Sequence, residues 1–206
     1  MRYLVTGTGR CGTGYIAQVL NSVGIQCTHE QIFNQNGIGF AREQIAIRKA
    51  HPEWGWEGES SWYAAFYLDN PVLDGVTIVH LVRHPKDVID SQLSMGNWNI
   101  YRGKEVLLQY LPTLANYVER IDLSAHWYLE WNRKIEPYAH IFHRVEDDVR
   151  LLLDKLGIIY AGKSLFDDKK YNTRRTYPSD VDLRADLSEP LRSGILEMGQ
   201  QYGYTV

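Results

Sequence analysis

Tyr3-Leu4-Val5-Thr6-Gly7-Thr8-Gly9-Arg10-Cys11-Gly12-Thr13-Gly14-Tyr15-Ile16-Ala17-Gln18-Val19-Leu20-Asn21-Ser22-Val23 is the stretch on which the reading of the fold turns. A β-prone segment over Arg2 to Thr6 runs into a glycine-rich turn, and the turn opens directly onto a helix predicted from about Thr13 to Val23. There Ile16, Val19, Leu20 and Val23 repeat at i, i+3, i+4 and i+7. Gly24 ends that helix. Glycines let the backbone take up positive φ and approach a ligand closely. The start of the helix presents unpaired N–H groups and the positive end of its dipole. Such a strand, loop and helix form an anion cradle and point to a phosphate- or sulfate-bearing ligand.

The pattern continues downstream. A short strand is predicted at Ile25 to Thr28, leading to His29 and Glu30, and a helix at Gly39 to Lys49 precedes a tryptophan-rich stretch around Trp54, Trp56 and Trp62. Val76 to Val82 is a continuous apolar, β-branched run, as expected of a strand buried on both faces of a parallel sheet. Pro85 stands where the next helix, Lys86 to Met95, begins. The middle, about 104–136, reads as mostly helical, broken at Pro112 and ended by Pro137. A strand at Ala139 to Val145, a helix at Asp147 to Leu156, a basic loop at about 163–182 and a last helix at Ser188 to Tyr202 complete the chain. Strands alternating with helices imply an α/β fold. The expectation is a single three-layer domain over residues 1–206, with a mainly parallel central sheet and ligands beyond the carboxyl ends of its strands.

Composition narrows the function. The 206 residues are 44% hydrophobic, enough for one substantial core, and the net charge of −3 with both signs interspersed argues against nucleic-acid partners. Any anion site must then be assembled from a few basic positions. The two cysteines, Cys11 and Cys27, suit neither a disulfide framework nor a zinc site, so a reduced cytoplasm is expected and no metal is implied. The glycine loop arrives too early for a signal peptide to precede it, and no apolar run reaches the length of a membrane span.

The glycine loop admits several readings. Gly7-Thr8-Gly9-Arg10-Cys11-Gly12 satisfies the dinucleotide pattern Gly-x-Gly-x-x-Gly, with Glu30 near the place of a ribose-binding acid, but no Tyr-x-x-x-Lys pair follows as in short-chain reductases. Gly7 to Thr13 also approximates the NTPase loop with its lysine absent, which disfavours a kinase or NTPase. A tight strand-to-helix turn with no ligand is the plainest reading, yet four glycines in eight positions exceed what a turn requires.

More of the chain is used when Arg10-Cys11-Gly12-Thr13-Gly14 is taken together with Ile78-Val79-His80-Leu81-Val82-Arg83-His84-Pro85-Lys86-Asp87-Val88-Ile89-Asp90-Ser91. The two segments resemble those of sulfotransferases that use 3′-phosphoadenosine 5′-phosphosulfate (PAPS). The resemblance implies that the loop, from Gly9 through Arg10, Cys11, Gly12, Thr13 and Gly14, holds the 5′-phosphosulfate, and that Arg83 and Ser91 clamp the 3′-phosphate. Cys11 and Gly14 depart from the family, which has hydroxyl residues there, so the grip falls more on backbone N–H groups and Arg10. Arg83 would project from the strand's carboxyl end, and Ser91, about two turns along the next helix, would return its hydroxyl to the same anion. The planar fork of arginine suits phosphate oxygens. The competing role for Arg83 is a surface ion pair with Asp87 or Asp90.

Weaker echoes follow. His143-Arg144-Val145-Glu146-Asp147-Asp148 resembles a family strand that ends in arginine and a Glu-Asp pair, and is expected to cap a helix and pin the sheet. Lys169-Lys170-Tyr171-Asn172-Thr173-Arg174-Arg175 resembles a late basic loop that closes over the nucleotide, which makes Lys169, Asn172, Arg174 and Arg175 candidate cofactor contacts. For catalysis the resemblance implies Arg10 at the bridging oxygen and Glu30 as the base, with His29 its rival by virtue of an ordinary imidazole pKa near about 6.5. No Lys or His occurs in Gly58-Glu59-Ser60-Ser61-Trp62-Tyr63, where many relatives carry one. Glu59 reads equally as a second carboxylate at the site or as a solvent-facing strand end. Trp54, Trp56, Trp62, Tyr63, Phe66 and Tyr67 flank the acceptor side, with Trp98 and Tyr101 at its entrance. Aromatic faces of this kind suit small-molecule or carbohydrate acceptors alike.

Overall fold

The computed structural model describes residues 1–94, 101–166 and 181–206, with the side chains of 101–104 also outside the described set. Five strands form one all-parallel sheet: β1 (Tyr3–Thr6), β2 (Gln26–His29), β3 (Trp56–Ser60), β4 (Thr77–Val82) and β5 (Ile141–Arg144), in the spatial order β2-β3-β1-β4-β5. The helices are α1 (Thr13–Ser22), α2 (Gly37–Ala50), α3 (Pro85–Ser94), α4 (Tyr101–Tyr110), α5 (Arg120–Ile135), α6 (Val149–Lys155) and α7 (Leu191–Gln201).

Alternation along β1 shows how the layers form. Tyr3 and Val5 point to a cluster shared with α1 and α6, through Ile16, Val19, Leu20, Leu152 and Leu153. Leu4 points the other way, to a cluster with Ile45 of α2, the turn Trp62–Tyr67 and Trp127 and Trp131 of α5. A third cluster joins Val82 of β4 to α3, α5 and α7. Helices thus cover both faces of a sheet whose central strands are apolar on both, as parallel sheets require. Burying each Val, Leu or Ile contributes about 1.5 to 3 kcal/mol, so α1, with Ile16, Val19 and Leu20 all at 0% exposure, is docked by its apolar stripe rather than by helix propensity.

Most predicted elements recur with ends displaced by one to three residues. Pro112 does break the helical middle, starting the short 3₁₀ turn Pro112–Asn116 between α4 and α5. The exception is β3, which has no counterpart among the predicted strands. Trp56-Glu57-Gly58-Glu59-Ser60 holds two carboxylates, a glycine and no β-branched residue, so no period-2 apolar signal exists to be read. Its strand geometry comes from lying between β2 and β1, which pair with it on either side. Among the described residues no helix is long and apolar enough to cross a membrane.

Candidate functional site

The carboxyl ends of β1, β2, β3 and β4 all open onto the glycine loop. Gly7 follows β1 so closely beside β4 that a Cβ there would run into the Leu81 carbonyl oxygen. The loop then folds on itself through a hydrogen bond from the Cys11 N–H to the Thr8 carbonyl (3.0 Å). Gly12, the N-cap of α1, has φ +106°, and no side chain caps the helix. The first long-range turn of α1 is closed by the Ile16 N–H donating to the Gly12 carbonyl (3.2 Å), which directs the preceding amides to the mouth of the loop. Thr13 and Gly14 are buried in that first turn. The Cys11 side chain instead faces the core shared with α1 and α6, where burial pushes its thiol up to about 12. Cysteine at this position therefore offers the mouth backbone only.

Two groups of side chains flank the loop. On the β4 side, Arg10 Nε donates to Ser91 Oγ (2.9 Å), and Arg83 Nη1 donates to the Arg10 carbonyl (3.3 Å). Loop and clamp are therefore one cluster: the Arg10 side chain itself meets Ser91, whereas the sequence reading assigns the two to opposite ends of a nucleotide. Arg83 also approaches Asp87 Oδ2 (3.6 Å), the competing ion pair, but more than half of Asp87's side chain is exposed and a pair of that kind contributes little. Asp90 is taken by Lys86 (2.9 Å).

On the β3 side, Thr13 Oγ1 lies 3.3 Å from His29 Nε2, and the same nitrogen lies 3.4 Å from Glu30 Oε1. Burial raises the Glu30 carboxyl above its ordinary value, against the opposing pull of Arg10, and burial lowers the His29 imidazole. The raised carboxyl binds a proton more readily near neutral pH than an ordinary carboxylate does, and the lowered imidazole stays unprotonated and able to accept one. Arg10 (φ +81°) and Glu30 (φ +54°) are the non-glycine residues in left-handed conformations among the described residues. Backbone strain of this sort persists where surrounding structure enforces it and gathers at functional sites.

Several participants were not legible beforehand. Gln92, next to Ser91 and fully buried, donates from Nε2 to the Gly9 carbonyl (3.2 Å), while its Oε1 and the Thr8 hydroxyl are buried without a hydrogen-bond partner among the described residues. Ser60 Oγ donates to the Thr13 carbonyl (2.8 Å), tying β3 to the start of α1. Glu59 is 0% exposed, which corrects the solvent-facing alternative, and it turns toward β2 rather than into the mouth. The adjacency of Gln92 to Ser91 was the available signal for the first; Glu59 was legible as a possible second carboxylate, but its burial, like the tie made by Ser60, depends on β3.

The aromatic cluster divides. Phe66 and Tyr67 are core, Trp62 and Tyr63 are partly buried, and the Tyr63 phenol is raised first by burial and then by the nearby Glu30 carboxylate. Trp54 is exposed and stacked on His51, well outside this group. At the end of β5, Arg144 pairs with Asp147 (2.6 Å), Glu146 accepts the His84 N–H (2.9 Å) and the Tyr204 hydroxyl, and Asp148 caps α6. These residues pin the sheet, as expected. Lys169, Asn172, Arg174, Arg175 and Trp98 lie outside the described residues, as does the side chain of Tyr101. Compared with models of known protein families and with curated proteins, the chain matches none.

Proposed function

We propose that this chain is a sulfotransferase that moves the sulfuryl group of PAPS to a hydroxyl or amine of a small-molecule or carbohydrate acceptor. The observation that carries the reading is the convergence of Arg10, Arg83 and Ser91 on one another beside the glycine loop, although they lie up to 81 residues apart. A nucleotide with phosphates on both its 3′ and 5′ carbons is the ligand class that such a cluster fits, with one arginine for each end and a shared hydroxyl.

The acceptor oxygen or nitrogen attacks sulfur in line, the bond from sulfur to the bridging oxygen of the 5′-phosphate breaks, and adenosine 3′,5′-bisphosphate leaves. The acceptor's proton passes to Glu30, with His29 beside it as the other basic group. Arg10 neutralises charge developing on the leaving phosphate. Catalysis of this kind is mostly positioning and charge stabilisation.

Strand order speaks against the dinucleotide reading. In the Rossmann arrangement β2 adjoins β1, which brings the acid at the end of β2 to the ribose. Here β3 stands between them, which moves Glu30 outward by a further strand spacing of about 4.8 Å. Thermal shift with adenosine 3′,5′-bisphosphate and with NAD(P) tests the choice, followed by an acceptor-library screen with labelled PAPS. Stabilisation by the bisphosphate and turnover of an acceptor are expected. Stabilisation by NAD(P) alone would overturn the proposal.

A further inference from the structure

Glu59 sits in the middle of the sheet at 0% exposure, in register with Thr28 of β2 on one side and Leu4 of β1 on the other. A carboxyl group there has no packing rationale, because its neighbours Leu4, Ile32 and Phe33 belong to an apolar cluster and are themselves fully buried. What it does have is donors. Glu59 Oε1 accepts the Ile32 N–H (3.0 Å), and Oε2 accepts the Thr28 hydroxyl. Thr28 is in turn approached by the Trp56 indole N–H (3.2 Å).

The geometry matters because of where these donors lie. The chain leaving β2 passes through Glu30 and then buries Ile32 and Phe33 without forming a helix or strand. A buried irregular segment must find acceptors for its amides elsewhere. The first residue of that segment is Glu30, held at φ +54° with its N–H directed to the Ser60 carbonyl (3.3 Å). A second tie comes from Ser61 Oγ, which donates to the Phe33 carbonyl (2.7 Å).

We infer that Glu59 is a positioning residue: its buried carboxyl is the acceptor that anchors the segment after β2 and so holds Glu30 in its left-handed conformation between His29 and Arg10. The consequence for chemistry rests on the proposed role of Glu30 as proton acceptor; the anchoring itself does not. Only an acceptor is required at position 59, so glutamine, which keeps a carbonyl oxygen, serves in place of glutamate and leucine does not.

The test follows the Glu30 carboxyl by carbon NMR titration and the Ile32 amide by hydrogen exchange, with Ile78 of β4 as internal reference, in the full chain. Glu59→Leu should speed Ile32 exchange about tenfold relative to Ile78 and move the Glu30 titration down toward the ordinary carboxylate range. Glu59→Gln should keep both near wild type, whereas a merely space-filling role predicts that leucine, of similar bulk, would keep them there as well. Affinity for adenosine 3′,5′-bisphosphate should stay within about twofold in either variant, since the Glu59 carboxyl bonds to Thr28 and Ile32 and to none of Arg10, Arg83 and Ser91. If Glu59→Leu does not fold, Thr28→Val removes the hydroxyl that donates to Glu59 and accepts from the Trp56 indole, and should shift Ile32 exchange and the Glu30 titration in the same directions by a smaller factor. Wild-type titration and exchange in the leucine variant, or in the valine variant where leucine fails, would overturn the inference. Failure of the wild-type chain to bind the bisphosphate, with the Glu30 titration still displaced in Glu59→Leu, would remove the sulfotransferase reading and leave the anchor standing.

Discussion

β1 divides the mouth of the site into two unlike halves. Toward β4 it is cationic, built from Arg10, whose side chain meets that of Ser91, and Arg83, which donates to the Arg10 carbonyl, and about a quarter of the Arg83 side chain remains exposed. Toward β3 it is carboxylate-bearing and progressively buried, from partly exposed Glu30 to Glu59 at 0% exposure. The same sheet edge thereby supports two kinds of electrostatics. Guanidinium groups at a wet mouth are suited to the anion of the proposed ligand, while carboxyl groups drawn into the sheet have their proton affinities raised. In the proposed function, the Arg83 side of the mouth would bind and the Glu30 side would handle the proton, with β3 and β1 lying between β2 and β4.

That division sets the largest expected effect. Glu30→Gln should lower turnover of PAPS with an accepted substrate by about 10²- to 10⁴-fold, with affinity for adenosine 3′,5′-bisphosphate not weakened by calorimetry, because the substitution removes a carboxylate that opposes the charge of Arg10. A parallel loss of affinity would merge the two halves. Unchanged turnover would transfer proton acceptance to His29.

Glu59 supplies the next effect, on stability. Burial pushes its carboxyl from an ordinary 4.5 up to about 7, against the Thr28 hydroxyl and the amides of Ile32, Phe33 and Gln31. Between those two values the folded chain retains a proton that the unfolded chain has released. Stability from this group therefore falls as pH rises from about 4.5 through about 7 and is level above. The total is about 3 kcal/mol. Glu59→Gln lacks this dependence, so urea midpoints should show it gaining on wild type between pH 5 and pH 8. Parallel curves would mean that Glu59 titrates as an ordinary carboxylate.

The cationic half gives smaller numbers because each of its contacts is partly solvated. Arg83→Ala should weaken the bisphosphate by about 2 kcal/mol, roughly 30-fold, and leave the Glu30 titration where it was. Ser91→Ala removes one neutral hydroxyl from Arg10 and should cost about 1 kcal/mol, roughly fivefold. A Ser91 effect equal to that of Arg83 would place the hydroxyl, not the guanidinium, at the centre of the anion site.

Much of this frame was legible locally. The apolar run Val76 to Val82 and the stripe Ile16, Val19, Leu20 announce a buried strand and a docked helix, because each pattern is imposed by backbone periodicity and needs no knowledge of partners. Arg83 and Ser91 were separable from the remaining polar residues through the family resemblance of their segment, with which a strand end and two helical turns are consistent. β3 was illegible for the opposite reason: Glu57, Gly58 and Glu59 disfavour a strand individually, and only pairing with β1 and β2 makes one.

The amino-acid order by itself determined the strand, glycine loop and helix at the start of the chain and the alternation that yields a parallel sheet, while Arg10, Glu30, Arg83 and Ser91 were singled out by the family resemblance of the segments that carry them. The elements depend on sterics and hydrophobic spacing over a few residues, which a chain carries wherever it goes. Tertiary structure alone decided that β3 lies between β2 and β1, that Arg10 meets Ser91 across 81 positions, and that Glu59 is buried beneath the segment carrying Glu30. Such contacts follow from strand order, and strand order is settled by how whole layers pack, a quantity that no local window contains.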